Sequence, residues 1–172
     1  MSMIDELVVN FAIYEDAVEY LGMAEATLPD IEYLTEELSG AGIAGSIETI
    51  IIGHLSAMTT TLNFRTVGTS AVRLLEPRIH KIDLRSAQQQ MDNQTSETEV
   101  TTVKHVMKVK PKKTALGKVA AASAADVSGE YAVSYYAMYV EGKKVIEVDP
   151  LNFICIINGT DYLKKVRKAL GK

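Results

Sequence analysis

The chain has 172 residues, of which 47% are hydrophobic and 23% charged, and its formal net charge at pH 7 is −4. This length suits a single domain over residues 1–172, which would bury about two thirds of its unfolded surface. The mixed charge argues against a general nucleic-acid binder, because such a protein needs a net basic face. No apolar run approaches the ~20 residues of a membrane span and no signal peptide is visible, so we predict no membrane anchor.

Charge is distributed unevenly along the chain. No lysine or arginine precedes Arg65, and the first 64 residues carry eleven carboxylates. The other 108 residues hold all eighteen cations against eleven acids, so the two parts carry formal charges of −11 and +7. Two interpretations remain open. The acidic part pairs with basic strands of the same subunit, or acidic and basic surfaces meet on different copies in a head-to-tail interface.

Apolar and polar residues alternate with a period of two through much of the chain, which predicts an antiparallel sheet with one buried face. Before residue 78 the pattern predicts a first strand with Leu7, Val9, Phe11 and Ile13 on one face, followed by an extended run over 18–28. It then predicts a strand with Met58, Thr60, Leu62 and Phe64 on one face, and a short helix. That helix is capped by the run 68–70, ends at Pro77, and has Ala71, Val72, Leu74 and Leu75 as its apolar face.

The second half of the chain continues the pattern. It is predicted to begin with two strands, over 79–90 and 98–110, joined by a hairpin tip at 92–97 and followed by a long mobile connection over 111–129. A strand over 130–140 has Tyr131, Val133, Tyr135, Ala137 and Tyr139 on its core face, and a return strand covers 143–148. A buried run to Ile157 then leads to a C-terminal helix that Thr160 caps, with Leu163, Val166 and Leu170 facing inward. The fold class that follows is mainly β, an antiparallel barrel or sandwich with one short packed helix and a C-terminal helix.

Two groups of cations stand out on the predicted surface. Lys104, Lys108 and Lys110 lie opposite the apolar face of their strand. They are either a solvated strand surface that also blunts edge pairing, or a surface that faces an acidic neighbour. The outward face of the C-terminal helix carries Lys164, Lys165, Arg167 and Lys168. Cations near a helix C-terminus also suit the helix dipole, so this group has a sufficient structural explanation.

The sequence shows no motif of a metal site, a phosphate-binding loop or a catalytic nucleophile. The three histidines and Cys155 show none of the short spacings of a metal site. The glycines at 40, 42 and 45 are not followed by the Lys-Ser/Thr of a phosphate-binding loop, and no Gly-x-Ser-x-Gly occurs. We therefore predict no catalytic, metal-binding or cofactor-binding residue. Cys155 lies in an apolar run with no disulfide partner in the chain, which predicts a buried thiol and suits a reducing compartment.

Two stretches are more specific than the composition. The first is Thr27-Leu28-Pro29 leading to the loop Ser39-Gly-Ala-Gly-Ile-Ala-Gly-Ser46. The second is Glu141-Gly-Lys-Lys-Val-Ile-Glu-Val-Asp149, followed by Asn152, Asn158-Gly159, Asp161, Leu163, Arg167 and Gly171. In this order, over nearly the whole chain, they closely resemble the major tail tube proteins of contractile-tailed bacteriophages and phage-tail-like (R-type) bacteriocins. Glu141 stands where Asp is common in the family's turn.

The resemblance implies six copies per ring, with rings stacked into a hollow tube inside a contractile sheath, and no enzymatic role. Partners implied are other copies of the chain, the tail sheath protein, and the baseplate and tail terminator proteins. DNA would pass through the lumen without specific binding in a phage, and ions would pass in a bacteriocin. The expected location is a virion or phage-tail-like particle assembled in the cytoplasm of the host bacterium.

On the same implication, ring stacking and subunit contacts involve the small-residue loop and the lysine row. These residues are Ser39, Gly40, Ala41, Gly42, Ile43, Gly45, Ser46, Lys104, Lys108 and Lys110. The cations of the C-terminal helix are candidates for contact with the sheath or a neighbour: Lys164, Lys165, Arg167 and Lys168. Two alternatives remain open, a secreted hexameric tube protein of a type VI secretion system and a monomeric ligand-binding β-barrel.

Overall fold

The computed structural model describes residues 2–20 and 22–172; Leu21, part of the predicted run over 18–28, lies outside them, as does Met1. The strands are β1 (Met3–Glu15), β2 (Val18–Glu19), β3 (Met23–Thr27), β4 (Tyr33–Ser39), β5 (Ser46–Leu55), β6 (Met58–Phe64), β7 (His80–Asp92), β8 (Thr98–Ala115), β9 (Val127–Val140), β10 (Lys143–Asp149), β11 (Ile154–Ile157) and β12 (Thr160–Asp161). The helices are α1 (Thr69–Arg73), α2 (Lys164–Ala169) and a 3₁₀ turn at Pro150–Asn152. None of these described helices has the length and apolar character needed to cross a membrane.

Ten of the strands form one antiparallel sheet, so the predicted mainly β class is confirmed. Its main path runs β12-β11-β10-β9-β8-β7-β1-β2, and β6 joins β9 on one side and β3 on the other. β2 pairs with the end of β1, while β3, the next strand along the chain, pairs with β6. The path from β1 through β7, β8, β9 and β6 to β3 therefore turns back toward β1, as in a barrel.

The core lies inside this curved sheet. Met58, Thr60, Leu62 and Phe64 of β6 all point into it, as their alternation predicts. Thr60 is fully buried and donates a hydrogen bond to the Thr27 carbonyl oxygen at 2.6 Å, which satisfies its hydroxyl. Most of the other large members of the core come from β1, β7, β8, β9 and β10, and they include Ile13, Ile82, Leu84, Met107, Val109, Val127, Tyr131, Tyr136 and Val148.

The predicted face of β1 is correct only in its second half. Phe11 and Ile13 contact the core, but Leu7 and Val9 are 56% and 54% exposed. The pairing of β1 with β7 shifts register twice, between Asp5 and Leu7 and between Val8 and Asn10. Each such irregularity moves the following side chains to the other face, so a strict period of two cannot hold along the strand.

A similar irregularity overturns part of the prediction for β9. Tyr131 and Val133 are buried as expected, but the pairing with β8 skips Ser134. After this bulge the faces exchange, so Tyr136 enters the core, and Tyr135 and Tyr139 lie half-buried on the outer face. Their prediction as core residues was wrong.

The long mobile connection predicted over 111–129 is shorter and more ordered. β8 continues to Ala115 and β9 begins at Val127. The amide of Lys118 donates to the Ala125 carbonyl oxygen at 2.8 Å, and the amide of Ala125 donates to the Arg65 carbonyl oxygen at 2.7 Å. Gly117 permits this return, because a side chain there would meet the Ala125 carbonyl.

Both helices differ in detail from the prediction. In α1, Ala71 and the following Leu74 are buried, but Val72 is 50% exposed. Gly68 precedes α1 without any side-chain capping bond. α2 begins only at Lys164, and Thr160, predicted to cap it, lies in β12 instead. The cause is Asn158-Gly159, which turns the chain into a short strand pair before the helix can start.

The inward face of α2 is also smaller than predicted. Leu163, just before the helix, is buried at 3% exposure, whereas Leu170 at its end is 56% exposed. Six helical residues make fewer than two turns, and none of them is buried.

Candidate functional site

β4 and β5 form a two-stranded sheet of their own, which we call the arm (33–55). At its base the amide of Ser56 donates to the Glu32 carbonyl oxygen at 2.8 Å. Gly53 lies directly against the Leu163 side chain, so close that a methyl group at Gly53 would overlap it. The arm is thus attached at its base and projects from the main sheet. The sequence pattern had shown its loop but not its strands.

Large aliphatic side chains are exposed on the arm. They are Leu34, Leu38, Ile43, Ile47, Ile50, Ile51 and Ile52, with exposures between 37% and 58%. An isolated two-stranded hairpin is at best marginally stable in water. Clustered exposed aliphatic side chains mark interaction surfaces. The arm therefore has the character of an element that another protein surface covers.

The predicted small-residue loop forms the tip of the arm. Ser39 and Ser46 face each other as the last pair of the two strands, and Gly40-Ala41-Gly42-Ile43-Ala44-Gly45 connects them. Gly40, Gly42 and Gly45 have φ angles of 140°, 90° and 132°. A side chain at Gly42 would meet no atom of this chain within 4 Å. Glycine is thus required here by the backbone conformation, and the space beside the loop is open.

The arm carries negative charge only. Glu36, Glu37 and Glu48 are its charged residues, and Glu37 lies directly opposite Glu48 across the two strands. Thr35 donates a hydrogen bond to Glu48 at 2.6 Å, but within residues 2–20 and 22–172 no cation forms an ion pair with any of the three carboxylates. Like charges directly opposite one another destabilise a strand pair.

The lysine row lies on the outer face of β8, as predicted. Lys104 pairs with Asp83 at 3.3 Å and lies over the Tyr139 ring at 5.9 Å. Lys108 lies 5.1 Å from the centre of the Tyr135 ring. Lys110 is exposed. The aromatic rings hold the lysine stems against the sheet while their ammonium groups stay at the surface.

The four cations of the C-terminal helix have different environments. Lys164, Lys165 and Lys168 are exposed. Arg167 instead forms an ion pair with Asp161 and donates to the Phe153 carbonyl oxygen at 2.6 Å. Arg167 thus ties α2 to the strands beneath it, and the prediction that it faces outward was wrong.

Pairing within the subunit accounts for little of the charge separation. Of the eleven carboxylates before Arg65, Glu15 and Asp16 are those that meet a cation within 4.0 Å in the described part of the chain. The nearest partners of Asp5 and Glu6 are neutral amides, Gln90 and Gln89. Most of the N-terminal negative charge is thus left at the surface, and the structure weakens the interpretation that both signs pair inside one subunit.

The buried exception, Glu15, was not predicted from the sequence. Its carboxylate is fully buried and accepts hydrogen bonds from Tyr20, from His80 at 2.6 Å and from Arg78 at 3.0 Å, with Arg73 at 3.5 Å. Burial alone would raise the pKa of Glu15, but the hydrogen bonds from Tyr20 and His80 and the nearby positive charges outweigh it and lower that pKa. The cluster joins β1, β7 and the segment after α1.

Both ring nitrogens of His80 have a polar partner. One faces the Glu15 carboxylate at 2.6 Å and the other faces the Glu76 carbonyl oxygen at 3.0 Å, so the buried ring is fixed in position. The sequence does not reveal this cluster, because Glu15 and His80 are 65 positions apart in the chain and only folding brings them together.

The remaining polar groups of interest are structural. His105 is buried against the Tyr136 hydroxyl at 2.8 Å, and burial lowers its pKa. Cys155 is a free, buried thiol whose pKa burial raises, so it suits an inert position. Within the described residues, no group of three His, Cys, Asp or Glu side chains is arranged to hold a metal ion.

The chain is similar in sequence and in fold to proteins of contractile tails and injection systems. The family model described as phage tail tube protein FII matches residues 5–171. The tail tube protein of Escherichia phage P2 is 24% identical over 162 residues, covering 92% of this chain and 93% of that protein. A solved structure of the PVC sheath/tube terminator, from an extracellular contractile injection system in its extended state, superposes with a TM-score of 0.52 at 13% identity, covering 76% of this chain and 94% of that one. At this identity the likeness shows the fold. The family match spans nearly the whole chain, and the chain therefore belongs to the phage tail tube protein FII family, whose members are structural proteins of tail tubes.

Proposed function

We propose that this chain is the repeating subunit of the inner tube of a contractile injection particle, and that it assembles into hexameric rings stacked as a hollow conduit for DNA or ions. The observation that carries this proposal is the arm. It projects from the main sheet, exposes aliphatic side chains along both strands, and pairs with no other strand of the described chain. A polymerising subunit needs such a surface, because each copy must bury part of itself against the next.

A second surface supports contacts around a ring. β1 pairs with β7 along one side, but on the other side it meets β2 only at Tyr14 and Glu15. The rest of that edge exposes Ile4, Leu7, Val8 and Val9. A long, apolar and open strand edge favours association, so we propose that it is covered by a neighbouring subunit.

Charge supports the proposed conduit. The ends of β1, β7 and β8, over 3–8, 88–92 and 98–101, carry acids and amides but no lysine or arginine. A surface of this kind repels phosphate groups, so it suits a bore through which DNA slides without being held. The exposed lysines of α2, Lys164, Lys165 and Lys168, suit contact with an acidic surface of the sheath or of a neighbour.

The proposal predicts that Gly42→Trp leaves the monomer folded and prevents tube formation. Gly42 has open space around it, so the variant loses about 1–2 kcal/mol of stability from its positive φ angle alone. A bulky ring at the arm tip would, however, block close approach of the next copy. The measurement is the fraction of protein that pellets on ultracentrifugation, with circular dichroism as the check on folding.

Gly159→Trp is the matched control. Gly159 also has a positive φ angle, 80°, and no atom within 4 Å of an added side chain, but it lies in the turn before β12, outside the arm. We expect this variant to pellet as the wild type does. Normal tubes from Gly42→Trp would remove the arm tip from the proposed interface.

A further inference from the structure

The arm carries two carboxylates that the chain itself does not neutralise. Glu37 and Glu48 lie directly opposite one another, so their side chains leave the same face of the arm. The described residues offer them no cation within 4.0 Å, and the exposed Ile50 shares their face. Two like charges at this separation repel, and a cationic surface placed over that face would remove the repulsion.

The outer face of β7 and β8 presents the opposite arrangement. Lys81 lies directly opposite Lys108, and Arg85 lies directly opposite Lys104. These four cations, which we call the cation strip, surround a single carboxylate, Asp83. Arg85 and Lys104 share Asp83 at 3.1 and 3.3 Å, while Lys81 and Lys108 form no ion pair within the part of the chain that the structure describes. The strip therefore keeps a formal surplus of three positive charges.

Shape adds to charge at the strip. A groove of about 840 Å³ lies beside Arg85 and Lys104, and a second of about 390 Å³ lies beside Lys81 and Arg85. Small residues line the larger groove, among them Ala12 and Ala87, so an extended strand pair can approach the backbone there. Glu19 also lines this groove and Asp16 lines the smaller one, so the positive surplus belongs to the cation strip itself. Tyr139 at its margin supplies a flat apolar surface for the aliphatic side chains of the arm.

We infer that the arm of one copy docks on the cation strip of another copy, with Glu37 and Glu48 facing Arg85 and Lys104. The inference rests on the proposed function, since it names the surface that receives the arm in the tube. The occupant is a second copy of this chain because the arm is the acidic, aliphatic hairpin that matches this cationic, concave sheet face. Docking would place two carboxylates against the positive surplus of the strip, and it would relieve the repulsion between Glu37 and Glu48 that the isolated subunit retains.

A charge exchange within one chain tests the docking. The arm variant is Glu37→Lys with Glu48→Lys, and the strip variant is Arg85→Glu with Lys104→Glu. Each alone places like charges across the interface, which lowers the pelleted fraction at least about tenfold. The variant with all four changes again has opposite charges on the two surfaces, so we expect it to regain tubes. Circular dichroism and thermal unfolding of every variant show whether the subunit remains folded.

Cross-linking provides a second readout that does not depend on charge. With Glu48→Cys and Ala87→Cys in the same chain, oxidation is expected to give a ladder of covalent dimers, trimers and longer species. Either cysteine alone gives no ladder, and Cys155 remains buried. Suppose that wild-type tubes form, that the variant with four substitutions is as defective as the variants with two, and that no ladder appears. The proposed docking is then wrong, while the proposed function as a tube subunit still holds. If the wild type forms no tubes, the proposed function itself fails.

Discussion

Replacing Glu15 with alanine is expected to lower the free energy of unfolding by about 3–5 kcal/mol, because it removes the carboxylate that Tyr20, His80 and Arg78 all bond. His80 is fully buried beside Glu15, and Arg73 and Arg78 reach the same carboxylate from the surface. The measurement is urea unfolding of the monomeric chain at low concentration. Glu19→Ala is the matched control, since Glu19 is exposed and lies on the same side of the barrel; we expect it to stay within about 0.5 kcal/mol of wild type.

The same cluster predicts how stability depends on pH. The pKa of Glu15 is lower in the folded chain than its ordinary value of 4.5, so its contribution is fully present above that value and is lost as the pH falls through the folded pKa. The difference in unfolding free energy between wild type and Glu15→Gln should therefore be largest near pH 7 and shrink below about pH 4.5. An equal difference at every pH, or a Glu15→Ala variant as stable as wild type, would contradict this account of the cluster.

The second large effect is expected at the arm. Leu38 and Ile47 lie opposite each other on one face of the arm and are 43% and 53% exposed. Replacing both with aspartate should abolish tube formation, because every subunit contact that uses this face would bury two added charges. The stability of the monomer should change little, since neither side chain belongs to the core. Pelleting and electron microscopy measure assembly, and thermal unfolding measures the monomer.

Val72→Asp is the control for added surface charge. Val72 is 50% exposed on α1, away from the arm, so this variant should assemble normally. Tubes formed by the Leu38→Asp, Ile47→Asp variant would show that this face of the arm is free in the assembly. A monomer that unfolds much more easily than wild type would show instead that the arm is part of the fold.

The alternating segments could be predicted from the sequence because each is buried on one face only. β6 shows this best, since Met58, Leu62 and Phe64 all point into the core as their spacing requires. The hairpin of β7 and β8 follows the same rule in its inner part, from His80 to Ser86 and from Thr101 to Val109. The family resemblance rested on the loop at the arm tip and on the turn at Glu141, and the match over residues 5–171 confirms it.

The remaining features depend on contacts that sequence spacing does not contain. The bulge at Ser134 exchanges the faces of β9 and moves Tyr139 outward, and no local pattern marks that residue as extra. The Glu15–His80 pair joins residues far apart in the chain. The strands of the arm were missed because a hairpin exposed on both faces lacks the buried stripe that makes alternation informative.

Negative-stain electron microscopy of the purified chain at high concentration, beside size-exclusion chromatography at low concentration, tests the central claim most directly. We predict hollow tubes or rings with six-fold symmetry at high concentration, and free subunits or single rings at low concentration. A chain that remains monomeric at every concentration and salt condition, including after addition of preformed tail fragments as nuclei, would contradict the proposal that it is the repeating subunit of a tube.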